Sequence, residues 1–216
     1  MKTTLKQLMG WMVAGAGLSP CLDAAVVSTF DTDADGWYTR DLVGLATAPP
    51  GATSSVTWDP AGFIQTTDTL DWVAFAAPAK FLGDKSAYYG GTLSFDLGAT
   101  WNDGVAYPNA VLYSGGNAVA YVTSPPATVG FTSYSLPLAP GGWSWNGATV
   151  ATAAQIQSVL ADLDGLFVSA DWFSGADDAR LDNVRLAAVP EPASLAAMAT
   201  LGLLGFAGGR RATRPP

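Results

Sequence analysis

The sequence predicts an all-β fold, a jelly-roll β-sandwich with one short amphipathic helix. Short runs of alternating apolar and polar residues recur from residue 26 to residue 186, and turn residues separate them. The chain contains 24 Gly and 14 Pro, which suit tight turns, and 49% of its residues are apolar, enough for a buried core. These observations together favour two packed sheets.

Nine segments fit strands joined by turns. In the segment 92–97, Leu93, Phe95 and Leu97 alternate with polar residues, as a half-buried strand requires. The Ser-Gly-Gly-Asn sequence at 114–117 lies between two such runs and predicts a hairpin turn. The predicted strands are 26–30, 55–58, 72–76, 92–97, 110–113, 118–122, 132–136, 166–171 and 180–187.

One segment has a helical period instead. Four apolar residues recur at the spacing i, i+3, i+4 and i+7, which gives a helix with one apolar stripe. Thr152, with Gln155 three residues later, predicts a capping box, and Gly165 predicts the end of the helix. The apolar residues are Ile156, Val159, Leu160 and Leu163.

The charge of the chain excludes nucleic acid as a partner. Between residues 26 and 189 there are sixteen Asp, no Glu and five Lys or Arg, a net charge of −11. Such a domain repels phosphate backbones, whereas its carboxylates suit Ca²⁺. The chain has no His, which removes Ser-His-Asp chemistry and His-ligated zinc.

The N-terminus predicts export through a signal peptide over residues 1–24. Lys2 and Lys6 precede an uncharged apolar run, and Ala24 is a small residue at the expected cleavage point. The apolar run has eleven residues, short of the roughly 20 that span a membrane, which argues against a retained anchor. A lipoprotein signal stays open as an alternative, since Cys21 ends a segment that resembles a lipobox.

The C-terminus carries a Pro-Glu-Pro motif, an apolar stretch and a basic tail. The stretch is close to membrane-spanning length, and the basic residues would stay on the cytoplasmic side. The segment 189–211 resembles the PEP-CTERM sorting signal of Gram-negative bacteria that make exopolysaccharide. The resemblance implies an exosortase-type processing enzyme as partner and transient anchoring in the inner membrane; an ordinary C-terminal anchor is the alternative. The parts are Pro190, Glu191 and Pro192, the transmembrane segment 193–209, then Arg210 and Arg211 before the cytoplasmic tail 212–216.

The middle of the chain, residues 26–188, carries several ordered motifs. Over residues 72–186 it resembles the laminin B domain, also called laminin domain IV. The resemblance implies a non-catalytic β-sandwich in extracellular, matrix-facing proteins. The glycines of the first two motifs suit turns with positive φ, and Asp84 suits a cap on one turn. The motifs are Phe81-Leu82-Gly83-Asp84, Tyr89-Gly90-Gly91, Gly142-Trp143 and Leu181-Asp182-Asn183-Val184.

Asp31, Asp33 and Asp35 precede a glycine, as in the first half of a calcium loop. An EF-hand is excluded, because Leu42 stands where its twelfth, acidic residue belongs. Closure by Asp182 in the last strand would instead give a structural Ca²⁺ shared between the first and last strands. The alternative to a calcium site is a solvated Asp-Gly turn. The fold requires no cofactor under either interpretation.

Exposed aromatic residues are candidates for stacking on sugar rings. Two tryptophans lie in loops rich in Asn, Asp and Gly, with a tyrosine and an asparagine nearby, whereas Trp72 and Trp172 lie in strand-like runs that predict core positions. The candidate glycan-binding residues are Trp101, Asn102, Tyr107 and Trp145.

Paired carboxylates raise the question of glycosidase activity. Asp162 with Asp164, and Asp177 with Asp178, lie in polar, turn-like sequence where solvation is expected, and Glu is missing from the domain. We therefore expect no enzyme.

The sequence predicts an exported surface protein, structural or adhesive and associated with exopolysaccharide or biofilm matrix. The alternative is a lectin-like carbohydrate-binding module.

Overall fold

The alternation of apolar and polar residues in the sequence gives strands with one buried and one exposed side. In the strand Thr92–Ala99, Leu93, Phe95 and Leu97 are buried, and the polar residues between them face outwards. The computed structural model describes residues 25–42, 53–67, 72–104 and 107–189.

Fourteen strands and one α-helix make up the regular structure of the described residues. The helix, α1, spans Ala153–Ala161, and short 3-10 turns span Ala79–Phe81 and Ser86–Tyr88. In chain order the strands are β1 (Ala25–Ser28), β2 (Tyr38–Asp41), β3 (Thr53–Ser55), β4 (Thr57–Asp59), β5 (Phe63–Thr67), β6 (Val73–Ala76), β7 (Thr92–Ala99), β8 (Pro108–Ser114), β9 (Asn117–Val122), β10 (Thr132–Pro137), β11 (Trp143–Trp145), β12 (Thr149–Val150), β13 (Gly165–Ser169) and β14 (Asp178–Ala187).

The strands form two antiparallel sheets. The first sheet has the spatial order β10-β7-β14-β5-β4, with β1 beside the C-terminal half of β14. The second has the order β12-β11-β9-β8-β13-β6-β2-β3. In the first sheet Ala25 pairs with Ala187, at one end of β14, and Ala99 pairs with Ala179 near the other end. The prediction of an all-β sandwich with one helix is confirmed.

The main core lies between the sheets. Phe75, Phe95 and Trp143 are fully buried there, and α1 adds Ile156 and Leu160 from its apolar stripe. A smaller cluster lies on the opposite side of the second sheet. It takes the alternate residues of β6, β8, β9 and β13, because side chains along a strand alternate in direction.

Local motifs behave largely as predicted. Each of the nine predicted strands overlaps an observed one, and the hairpin turn between β8 and β9 has positive φ at Gly115 and Gly116. The capping box is present: Thr152 Oγ1 accepts from the Gln155 N–H at 3.3 Å, and Gln155 Oε1 accepts from the Thr152 N–H at 2.9 Å. Asp84 Oδ1 accepts from the backbone N–H of Ser86 at 2.9 Å, which caps the turn and lowers the pKa of Asp84.

Several predictions need correction. Gly165 does not end the helix, which stops at Ala161; Gly165 is the first residue of β13. Gly91 is required by a close approach rather than by positive φ, because a Cβ there would lie 2.0 Å from the Ala187 carbonyl oxygen. The sequence prediction also lacked four strands, β2, β5, β11 and β12, of which three have at most four residues, and its strand 55–58 merges the end of β3 with β4.

The predictions for both termini lie outside the described residues. Within the four described ranges, no helix has the length and apolar character needed to cross a bilayer. The predicted parts concerned are residues 1–24, Pro190, Glu191, Pro192, the segment 193–209, Arg210, Arg211 and the tail 212–216.

Candidate functional site at one end of the sandwich

The acidic loop after β1 is closed by its own contacts. Asp35 Oδ2 accepts from Ser28 Oγ at 2.7 Å and forms an ion pair with Lys80. Burial alone would raise the pKa of Asp35, but the hydrogen bonds from Lys80 and Ser28 and the Lys80 charge lower it. Asp33 Oδ1 accepts from the Asp35 N–H at 2.7 Å. Lys80 therefore supplies the positive charge that Ca²⁺ was expected to supply at Asp35.

The fourth predicted calcium ligand, Asp182, lies on β14 opposite Asp96 of β7. The Asn183 side-chain amide donates to Asp96 Oδ2 at 2.8 Å and to Asp182 Oδ2 at 3.1 Å. Burial is the largest factor that raises the pKa of Asp182; the charges of Asp96 and Asp31 add to it, and the Asn183 N–H opposes it. The structure therefore brings Asp31 close enough to affect Asp182, and it adds Asp96, which the sequence did not indicate.

Each of the four predicted calcium ligands has another partner in the structure, and calcium binding stays a prediction. In the described part of the chain, no group of three or more His, Cys, Asp or Glu side chains is arranged to hold a metal ion. Asp33 and Asp35 are engaged with the loop backbone and with Lys80 instead.

Three loops meet at the end of the sandwich where β7 stops, and we call this region the Trp101 end. The Asn102 side-chain amide donates to the Pro126 carbonyl at 2.9 Å, and the Asp103 N–H donates to the Trp172 carbonyl at 3.0 Å. Tyr134 Oη donates to the carbonyl of Ser124 at 3.0 Å. These bonds fix the loops to one another and to the sheets. The loops are 100–104, 123–131 and 170–177.

Two aromatic rings are exposed at the Trp101 end. The Trp101 side chain is 64% exposed and Phe173 is 37% exposed. Their ring centroids are 6.3 Å apart with the planes tilted by 40°. Contact with Phe173 restricts the Trp101 ring without covering it. The pair therefore offers a partly pre-positioned apolar surface to solvent.

Tyr107 joins this region from the start of β8. Its hydroxyl donates to Asp103 Oδ2 at 3.0 Å, and its ring packs edge-on against Trp172, which is fully buried as predicted. Burial, the hydrogen bond to Asp103 and the charges of Asp103, Asp171 and Asp177 raise the pKa of Tyr107. The Tyr107 phenol therefore stays protonated as a hydrogen-bonding group at neutral pH.

Trp145 lies apart from the other glycan candidates. It is on β11, half-buried and packed against the main core, and it pairs with Val119, whose partner on β8 is Leu112. Tyr107 comes just before β8, so about 17 Å of strand separates Tyr107 from Leu112. The structure brings together Trp101, Asn102 and Tyr107, but not Trp145.

A second aromatic pair lies on the outer side of the first sheet. Phe131 is 39% exposed, and its ring centroid lies 5.7 Å from that of Phe63. The Arg180 guanidinium lies 5.8 Å from the Phe131 ring centroid, within cation–π range. Sequence reasoning missed this pair, although Phe63 and Gln65 flank the buried Ile64 in the alternation typical of a strand.

Three of the four paired carboxylates, those of Asp164, Asp177 and Asp178, accept structural hydrogen bonds. Asp164 Oδ2 accepts from the Gly115 N–H at 2.8 Å, and Asp178 Oδ1 accepts from Thr67 Oγ1 at 2.6 Å. Asp177 is buried, which corrects the expectation of a solvated turn, and its Oδ2 lies 3.3 Å from the Trp172 N–H that donates to it. These carboxylates therefore support loop and strand ends.

Comparison with known proteins identifies the family. The family model of Laminin B (Domain IV) matches residues 74–200, more than half of the chain. The L4b domain of human laminin alpha-2 superposes with a TM-score of 0.64 at 13% identity, covering 77% of this chain and 98% of that domain. The solution structure of CtCBM11 gives a TM-score of 0.49 at 14% identity, covering 79% of this chain and 99% of that one. A search of curated proteins found no match.

The likeness to the laminin alpha-2 domain shows a shared sandwich fold, which agrees with the two sheets described above. The family match covers most of the region whose motifs indicated laminin B, and it confirms that resemblance. The chain therefore belongs to the laminin B (domain IV) family.

Proposed function

We propose that this chain is an exported, non-catalytic surface protein with a structural or adhesive role. Its family membership is the observation that carries the proposal, because laminin B domains are typical of extracellular proteins. The β-sandwich would have no catalytic carboxylate pair, since Asp164 accepts from the Gly115 N–H and Asp178 accepts from the Thr67 hydroxyl.

The route to the surface is part of the proposal. The signal peptide of residues 1–24 would direct export, and an exosortase-type enzyme would recognise Pro190, Glu191 and Pro192 and remove the helix that follows. The mature protein would then join the exopolysaccharide or biofilm matrix. Two observations support this route: the sequences of the two termini, and membership in a family that is typical of extracellular proteins.

Mass spectrometry of the native protein from the cell envelope and from the medium tests this route. The expected mature protein begins after Ala24 and ends close to the Pro-Glu-Pro motif. An intact chain with both terminal segments, recovered from the cytosol, would contradict export and sorting.

A second candidate function, glycan binding, is favoured by the exposure of Trp101. A 64% exposed tryptophan held against a second ring is suited to stacking on the apolar face of a sugar. Asn102, Asp103 and Tyr107 lie beside it with hydrogen-bonding groups. In this version the domain is a lectin-like module that attaches the protein to surface polysaccharide.

Titration of the exported protein with soluble uncharged polysaccharides, followed by tryptophan fluorescence, tests glycan binding. We expect saturable quenching, and Trp101→Ala should weaken binding about tenfold, since loss of a stacked ring is worth about 1.4 kcal/mol. Val150→Ala is the matched control, because Val150 is 74% exposed on β12 and belongs to neither aromatic pair. Equal binding by Trp101→Ala would remove the Trp101 end from the site, and release of reducing sugar would contradict a non-catalytic role.

A further inference from the structure

The two aromatic pairs lie near each other along β7. Gly98 of β7 lies against the loop that precedes β10, since a Cβ at Gly98 would be 2.6 Å from the Gly130 carbonyl oxygen. Phe131 is the next residue after Gly130, and Trp101 follows Gly98 by three residues. Three residues of extended chain span at most about 11 Å. The Phe63–Phe131 pair on the outer side of the first sheet is thus close to the Trp101–Phe173 pair.

Both pairs are held in place before any partner arrives. Phe131 packs against Phe63 on one side and lies under the Arg180 guanidinium. Trp101 packs against Phe173. Side chains that are already ordered lose less conformational entropy when a ligand binds, so these four rings form a favourable binding surface.

Polar groups lie on the same side of the first sheet, next to the Phe63–Phe131 pair. Asp182 follows Arg180 by two residues and therefore faces the same way, and Asp96 and Ser133 continue the row across the sheet. Ser133 Oγ donates to Asp96 Oδ1 at 2.5 Å, and Asn183 bridges Asp96 and Asp182. Carboxylates, an amide and a hydroxyl beside aromatic rings match a ligand that combines apolar ring faces with hydroxyl groups.

The charge of the domain selects among such ligands. A net charge of −11 between residues 26 and 189 repels nucleic acid, anionic lipid headgroups and acidic polymers. The polar row beside the rings is also unlike the apolar centre of a protein–protein interface. An uncharged polysaccharide is not repelled by the negative charge, and its hydroxyl groups can bond to the polar row.

We propose that an uncharged polysaccharide binds along an aromatic track that runs from Trp101 and Phe173 to Phe131 and Phe63. The protein thus recognises an internal stretch of the polymer rather than a single terminal sugar. This inference rests on the glycan binding proposed above and extends it to residues of the first sheet.

The test starts with a panel of uncharged polymers, soluble β-glucan, xylan, galactomannan and dextran, with polygalacturonate as the anionic polymer. If none of the five polymers binds, glycan binding itself fails, and the track fails with it. If one uncharged polymer binds, it is hydrolysed to fragments of graded length, and their affinities are measured by titration calorimetry with the exported protein. We expect affinity to rise with fragment length by more than about tenfold from disaccharide to long fragment. Binding of polygalacturonate alone would overturn the inference while leaving glycan binding intact.

Substitution of Phe131 separates the track from the Trp101 end. Phe131→Leu should weaken binding of long fragments about five- to tenfold, because it removes the ring and keeps an apolar side chain. Phe131→Tyr keeps the ring and should bind as the wild type does. Urea unfolding midpoints confirm that both variants are folded.

Two results would overturn the track. One is wild-type affinity of Phe131→Leu for long fragments while Trp101→Ala loses binding, which confines the glycan to the Trp101 end. The other is a change of oligomeric state in Phe131→Leu without glycan, measured by sedimentation, which assigns the rings to contact between two copies of the chain.

Discussion

Substitution of Gly142 by alanine should destabilise the domain more than the same change at its neighbour Gly141. Both glycines have positive φ, +98° at Gly142 and +108° at Gly141, so alanine is strained at either. A Cβ at Gly142 would also lie 2.4 to 2.6 Å from ring atoms and the hydroxyl of Tyr121, whereas a Cβ at Gly141 meets nothing within 4 Å. The Tyr121 ring must therefore move in Gly142→Ala.

The expected free-energy changes follow from these contacts. Backbone strain costs about 1–3 kcal/mol at either position. Movement of Tyr121 disturbs its edge-on contact with the buried Trp143, 5.1 Å between centroids. Loss of such an aromatic contact adds about 0.5–1.5 kcal/mol. We expect Gly142→Ala to lower the free energy of unfolding by roughly 2–4 kcal/mol, about 1 kcal/mol more than Gly141→Ala.

Urea unfolding monitored by tryptophan fluorescence measures both changes. In a Tyr121→Ala background the obstruction is gone, so Gly142→Ala should then cost as much as Gly141→Ala. Equal destabilisation by the two alanines in the wild-type background would refute the reasoning. The Gly-Trp motif shared with laminin B would then have no packing basis here.

Three further predictions concern other parts of the domain. Thr152→Ala should lower the free energy of unfolding by about 1 kcal/mol, because Thr152 Oγ1 accepts from the Gln155 N–H at the start of α1; Thr152→Ser keeps the acceptor and should unfold like the wild type in urea. Asp182 has a raised pKa in the folded state, so it favours folding at acid pH and loses that contribution as the pH rises through its folded pKa; Asp182→Asn should flatten this part of the pH dependence of urea unfolding, and an unchanged profile would contradict it. Because Lys80 rather than a metal faces Asp35, chelator should leave the melting temperature unchanged; a lower melting temperature with chelator would restore the calcium hypothesis.

Features that depend on neighbouring residues in the chain were predictable from the sequence. The alternation of apolar and polar residues predicts strand β7. The helical spacing of apolar residues and the capping pair Thr152 and Gln155 predict α1. The cap formed by Asp84 also acts over two residues. In each case the signal and the contact lie within one turn or one strand.

Features that depend on distant residues were not predictable. Strands such as β12, with two residues, are strands only because a partner is present. Gly91 is needed because the Ala187 carbonyl passes beside it, a contact between positions 96 residues apart in the sequence. The pairing of Phe63 with Phe131 likewise requires the sheet order, because β5 and β10 are separated by β14 and β7.

The calcium hypothesis shows the same limit. The sequence indicated Asp31 and Asp182 correctly as residues from the two ends of the domain that lie near each other. It had no means of indicating that Lys80 reaches Asp35 across 45 residues. The ion pair places a positive charge at Asp35, which the spacing of the Asp residues does not indicate.

The pairing of β1 with β14 brings the two ends of the described domain together. Because Ala25 lies beside Ala187, the polypeptide enters and leaves the sandwich at one corner. Trp101 and Phe173 belong to the opposite end of β14, whose ten residues span about 30 Å. The exposed rings therefore lie at the end of the sandwich opposite residues 25 and 187, so an attachment made through either end of the described domain leaves them accessible to a partner.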